Sequence, residues 1–243
     1  MNIVYGGHCD DAWLNYNSWL TALIRRTKPE RVLEVGGGAV PAIPLSDLSA
    51  LGIREYSVLD ISQKELDKAP DGYNKICADI CSNVPLQDEY DLVISRMLAE
   101  HVRDPRKFHS NIRRLLSPGG RAFHFFPTMF CSAYIANRLI PEGLGWKLLK
   151  LISPDRTQSG QKDKFPAYYR WCFGPVPWQI SRLKNLGYEV ESYTGFFGHS
   201  YYNRVPLLGA AHKWFTSRLM RKPNPYFTTV VYLVLIRTQE SLG

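Results

Sequence analysis

Between residues 31 and 126, short apolar runs alternate with stretches of helical periodicity, and that alternation limits the fold more than any single motif. "RVLEV" (31–35), "YSVLDIS" (56–62), "NKICADI" (74–80), "YDLVIS" (90–95) and "RAFHFF" (121–126) each read as a buried strand. Strands separated by helices imply a mostly parallel sheet covered on both faces. Ahead of the first strand, Trp13, Tyr16, Trp19, Leu20, Leu23 and Ile24 recur at helical spacing, and Pro29 closes that helix. The clearest later helix is "DPRKFHSNIRRLLSPGG". Asp104 is its N-cap and Pro105 its first position; Phe108, Ile112, Leu115 and Leu116 share a face, and Gly119 and Gly120 supply the stop.

After the fifth strand the rhythm changes. Residues 127–176 hold an apolar helical stretch ("YIANRLIPEGLGWKLLKLI"), a polar basic loop ("SPDRTQSGQKDK") and "FPAYYRWCFGP", which together read as a lid. "PWQISRLKNLGYEVESY" restores helix and strand, and "YFTTVVYLVLIRT" is a long final strand; residues 194–225 form a second insertion between them. With 243 residues, no internal repeat and no linker, the expectation is one domain over 1–243. The five cysteines are scattered without CxxC spacing, which argues against a disulfide framework or a zinc site. The start carries no basic region leading into an apolar one, and no run of eighteen apolar residues follows, so a cytoplasmic chain is expected. Charge is unevenly placed: residues 1–120 hold 14 Lys and Arg against 16 Asp and Glu, residues 121–243 hold 16 against 6. The second half is therefore expected to face something anionic.

The first strand runs into "GGGAVP". A ligand lying across the carboxyl ends of parallel strands must come close to the first loop, and residues without Cβ allow that approach. Gly36, Gly37 and Gly38 are the candidates. Asp60 ends the next strand, where a carboxylate can take both hydroxyls of a ribose, with Ile61 beside it. A nicotinamide fingerprint would need a glycine where Pro41 stands, and Glu34 would sit badly near a diphosphate.

"VLEVGGG", with Glu34 two before Gly36, then Asp60, then "ADI" and "YDLVIS", resembles class I S-adenosylmethionine-dependent methyltransferases over roughly residues 30–126. "SRMLAEHVRDP" and "LLSPGGRAFHFFP" look like the branch of small-molecule O-methyltransferases that includes those of quinone biosynthesis. The resemblance implies an α/β, Rossmann-like fold of seven strands, the last antiparallel, with S-adenosyl-L-methionine as cofactor. It places Asp79 and Ile80 at the adenine, Ser95, Arg96 and Met97 under the methionine moiety, and Glu34 at the glycine loop or the cofactor's ammonium. The family's third glycine is replaced here by Val40. Some quinone-pathway relatives bind a divalent metal through a glutamate three residues before the Glu-His pair; Met97 stands there, and no metal is expected.

Methyl transfer from a sulfonium to oxygen gains from alignment and from a base, and histidine suits neutral pH. His101, in the loop after the fourth strand, is the first candidate and His199 the second; His8 and His212 rank lower, His109 is read as solvated and His124 as core or sheet edge. Tyr168, Tyr169, Trp171 and Tyr202 can wall an acceptor pocket, with Arg170 and Arg204 meeting an anionic group, or they can be packed lid core. A hydroxyl on a small metabolite, or on a saccharide or lipid-linked acceptor, is favoured. RNA methylation is the alternative, weakened by the spread of the cationic residues, and a non-catalytic binding module is a third. "LLGAAHKWFTSRLMRK" can lie on the inner face of an anionic membrane through its apolar side and basic end. Oligomeric state is left open.

Overall fold

The computed structural model describes residues 1–82, 84, 89–131, 166–203 and 205–238. The chain opens with β1 (Asn2–His8), α1 (Cys9–Thr27) and β2 (Arg31–Val35). It continues through α2 (Leu45–Leu48), β3 (Glu55–Asp60), α3 (Gln63–Leu66) and β4 (Asn74–Cys77). Next come β5 (Tyr90–Arg96), α4 (Pro105–Leu115) and β6 (Leu116–Pro127). The last described elements are α5 (Pro177–Asn185), β7 (Tyr188–Phe197), α6 (Pro206–Arg221) and β8 (Val230–Arg237).

The strands form one sheet in the order β1-β7-β8-β6-β5-β2-β3-β4, with β8 antiparallel to both neighbours and every other pair parallel. Successive side chains of a strand point to opposite faces, so each strand feeds two cores. Leu33, Val93 and Leu233 meet Phe108 and Ile112 of α4 and Leu183 of α5 on one side. Val32, Val58 and Ile94 meet Tyr16, Leu20 and Ile24 of α1 on the other.

The sheet has eight strands where seven were expected. β1 adds to the edge of β7, and its outward residues are mostly exposed, so no apolar run announced it. Its pairing depends on a tertiary contact: a Cβ on Gly6 would stand 2.4 Å from the Phe196 ring. The α4 cap is as expected, Asp104 accepting the Lys107 N–H at 3.0 Å. The stop is different. Leu116 is already extended, and residues 117–120 loop out at the start of β6, since Tyr90 pairs with Leu116 and Leu92 with Arg121. Pro118 disfavours helical backbone at Ser117, which ends α4 before the glycines are reached. His109 is buried, not solvated: Trp171 stacks over it at 6.1 Å, and desolvation lowers its pKa to about 4. His124 lies in the core of the central strand β6.

Candidate functional site

The chain steps outward from β2 to β3 and β4, then returns to lay β5 and β6 on the other side of β2. Such a reversal leaves a crevice at the carboxyl ends of the strands. The loop after β2 forms one wall. Gly36 adopts φ +77 and donates its N–H to Leu59 O at 2.7 Å, and a Cβ there would meet Leu98 Cδ1 at 2.8 Å. Only glycine satisfies both conditions without strain. Below the loop, Glu34 is 1% exposed; its Oε2 accepts the Ala42 N–H at 2.8 Å and the Tyr56 O–H at 2.5 Å. Burial raises its pKa, opposed by those hydrogen bonds and by Arg96. The same carboxylate explains Gly37, where a Cβ would meet Glu34 Cδ at 2.8 Å. Val40 projects into solvent and Pro41 has no N–H to satisfy, so the Ala42–Glu34 bond fastens the loop without a third glycine.

A cavity of about 520 Å³ opens beside this loop, within the range of small-molecule sites. Of the cofactor residues expected from the sequence, Gly36, Asp60, Ile61, Asp79, Ile80 and Met97 line it. Glu34, Gly37, Gly38, Ser95 and Arg96 stand outside the lining. Ser95 Oγ pairs with His124 Nδ1 at 2.8 Å, and Arg96 turns away to lie 5.4 Å over the Tyr16 ring and donate to Val40 O at 3.2 Å. Asp60 is half-buried, which raises its pKa, and its Oδ1 accepts the Ser62 N–H at 2.9 Å. Ile61 presents an exposed apolar face at the mouth. Met97 holds φ 52 with its N–H bonded to Phe125 O at 2.7 Å, and this turn swings the following residues over the cavity. Sequence reasoning missed Leu98, Val102 and Arg103 in the lining; their signal was continuity with His101 in one loop.

His101 lies in that lining, on a single 3₁₀ turn, Ala99–His101. Its Nδ1 is 3.1 Å from Pro166 O, and a carbonyl only accepts, so Nδ1 donates there and, in the neutral ring, Nε2 is the acceptor nitrogen. Nε2 is 3.8 Å from Glu100 Oε1. Glu100 is 3% exposed, its Oε2 has no hydrogen-bond partner among the described residues, and desolvation pushes its carboxyl pKa up to about 8. The Glu100 carbonyl accepts the N–H groups of Tyr168 (2.6 Å) and Tyr169 (3.0 Å), which docks the 166–173 segment onto the turn.

That docking creates a second cavity of about 630 Å³, walled by Tyr168, Tyr169, Trp171 and Phe173 with the guanidiniums of Arg103, Arg106, Arg170 and Arg182. Arg103 donates to Tyr168 Oη at 2.6 Å, and Arg170 donates to Arg103 O at 3.0 Å. Arg182 lies 5.3 Å from the Trp171 ring and 4.9 Å from Trp178. None of the four arginines has an ion pair among the described residues. Tyr169 and Trp171 hold φ of 51 and 61, a conformation that costs about 1–3 kcal/mol for such side chains. Arg103 and Tyr168 line both cavities.

His199 and Tyr202 line neither cavity. The His199 ring stacks on His212 at 4.0 Å, with Tyr202 at 4.5 Å; burial, then His212 and His8, lower its pKa to about 4. Arg204 lies outside the described residues. Metal-ligand atoms converge, among the described residues, only at His8, Cys9 and Asp10. There His8 Nδ1 accepts the Asp10 N–H at 3.3 Å, so the group caps α1.

Residues 33–124 match the family of methyltransferase domains. That segment carries a methyltransferase domain, and the fold is that of class I S-adenosylmethionine-dependent methyltransferases. Among curated proteins it is 27% identical over 129 residues to the ubiquinone biosynthesis O-methyltransferase of Coxiella burnetii strain RSA 493, covering 48% of this chain and 55% of that protein. The chain thus spans about half the length of the curated relatives it matches. Two solved structures share the methyltransferase fold. One is an S-adenosylmethionine-dependent methyltransferase from Mesorhizobium loti (TM-score 0.51, 18% identity, covering 91% of this chain and 98% of that one). The other is phosphoethanolamine N-methyltransferase 2 from Haemonchus contortus, in complex with S-adenosyl-L-methionine (TM-score 0.52, 17% identity, covering 93% and 53%).

Proposed function

We propose that the chain methylates a hydroxyl oxygen of a small or lipid-linked acceptor that carries an anionic group, with S-adenosylmethionine as donor. The first cavity fits the donor. It offers bare main chain at Gly36, carboxylates at Asp60 and Asp79, and apolar faces at Ile61 and Ile80, with no cation placed for a pyrophosphate among the glycine-loop residues. Asp60 would hold the ribose hydroxyls, Asp79 and Ile80 the adenine, and the Gly36 wall the amino-acid end. Bound there, the cofactor supplies a methyl group on a sulfonium, open to attack by oxygen.

The remaining work belongs to the chain. His101 Nε2 would take the acceptor's hydroxyl proton, since Nδ1 is committed to Pro166 O. An imidazolium formed there stands 3.8 Å from Glu100 Oε1 and favours ionisation of that buried carboxyl, which offsets the new charge. Arg103, Arg170 and Arg182 would hold the anionic end, and Tyr168 and Trp171 would flank the acceptor's body. The Tyr168 and Tyr169 N–H bonds to Glu100 O hold the 166–169 segment beside His101.

The observation that carries this reading is the shared wall. His101 stands in the lining of the donor cavity, and Arg103 and Tyr168 open the same wall onto an arginine-lined space. Donor carrying a labelled methyl group, incubated with the protein and the polar, lipid and RNA fractions of the native cells, tests it. Label should enter an anionic small molecule or lipid and leave it, as a one-carbon fragment, only under ether-cleaving conditions. Label confined to RNA, or to nitrogen, would show that the acceptor assignment is wrong.

A further inference from the structure

Helix α6 packs one side on the sheet and leaves a second, apolar side exposed. Gly209, His212, Thr216 and Leu219 form its inner stripe against β1 and β7. A second stripe runs at i, i+1, i+4, i+7 and i+8 through Leu207, Leu208, Ala211, Trp214 and Phe215, roughly 120° around the helix at about 100° per residue. Leu207 is 88% exposed and Trp214 64%. The patch continues past the helix, where Phe227 meets Phe215 at 5.2 Å and Tyr226 is also exposed. Contiguous apolar surface of this kind marks an interaction site.

Charge identifies the partner. Along the outward stripe the last turn becomes basic at Arg218 and Lys222, flanked by Arg221 and Lys213, and none of the four forms an ion pair among the described residues. Residues 192–239 contain six Lys and Arg and no Asp or Glu. A second copy of the chain would bring cations with no carboxylate on the patch to answer them. An anionic lipid surface answers both the apolar stripe and the charge. No described helix is long and apolar enough to cross a membrane.

We infer that α6 docks the protein flat on an anionic membrane surface, with Leu207, Trp214 and Phe215 in the interfacial layer and Arg218 and Lys222 on the lipid phosphates. The inference is independent of the methyl-transfer reading, because α6 lines neither cavity.

Co-sedimentation of the full chain with vesicles tests it. Phosphatidylcholine vesicles carrying a minority of phosphatidylglycerol should bind the wild type about tenfold or more better than phosphatidylcholine alone, with the advantage shrinking as salt rises. Leu207→Ser/Trp214→Ser and Arg218→Gln/Lys222→Gln should each weaken binding to the anionic vesicles by about tenfold. Both pairs lie on solvent-facing positions, and unchanged melting transitions would show that they fold. Equal binding of the wild type to neutral and anionic vesicles, or full binding by both variants, overturns the inference. So does a wild-type dimer in light scattering that the Leu207→Ser/Trp214→Ser variant dissolves, since that assigns the stripe to self-association.

Discussion

The cavity over β2 and β3 takes its character from main chain and carboxylates, whereas the cavity beside it takes its character from guanidiniums and aromatic rings. The first is braced from below: Glu34 fastens the loop, Gly36 gives it room, and Leu59 O anchors it. The second depends on a strained segment, Tyr168 to Trp171, laid across one turn of 3₁₀ helix. A rigid acidic pocket suits a ligand whose shape never changes, and an arginine pocket assembled from loops suits one that varies between enzymes. The difference teaches where each half of a transfer reaction is specified.

Four substitutions would sharpen or break that division. The largest effect should come at the seam. His101→Ala should lower turnover by about 10²–10⁴-fold, while S-adenosylhomocysteine still binds. Turnover near that of the wild type would leave alignment alone as the source of rate. Next is Glu100. Its folded pKa is raised, so the stability it contributes is full below the ordinary glutamate range and is lost as pH climbs through about 8. Glu100→Gln should remove up to about 4 kcal/mol of that decline in denaturant titrations. An unchanged decline would place the titrating group elsewhere. In the second cavity, Arg170→Gln should raise the KM for an anionic acceptor by roughly 10–100-fold, as for loss of a charged hydrogen bond, with donor affinity unmoved. A matching loss of donor affinity would merge the two cavities into one. Smallest, Gly36→Ala should cost about 1–3 kcal/mol from the left-handed backbone and the Leu98 contact. Adding Leu98→Ala should recover only the contact's share; complete recovery would mean the backbone is unstrained.

Much of the first cavity was legible because its determinants are local. Gly36 and Met97 follow β2 and β5 directly, Asp60 closes β3 and Asp79 lies two residues past β4, so chain order alone brings them together at the strand ends. The rest required contacts between distant segments. β1 is a mostly exposed edge strand whose pairing with β7 no local pattern records. His109 looked solvent-facing because the helical period says nothing of Trp171, which arrives from sixty residues away to cover it. Glu100 gave no sign of being buried until Tyr168 and Tyr169 were seen bonded to its carbonyl. Tyr168, Tyr169, Arg170 and Trp171 are adjacent in the chain, whereas Tyr202, expected beside them, lines neither cavity, and Arg103, Arg106 and Arg182 come from the loop before α4, from α4 and from α5. The apolar and basic stretches of 132–165 lie outside the described residues.

Isothermal calorimetry with S-adenosylhomocysteine tests the central claim most directly, with Asp60→Ala as its partner. Binding at one site per chain, weakened by roughly 100-fold when the Asp60 carboxylate is removed and untouched by Arg170→Gln, is the predicted result. No heat at millimolar ligand, or equal affinity in Asp60→Ala, would contradict a donor site built from the glycine loop and the tip of β3.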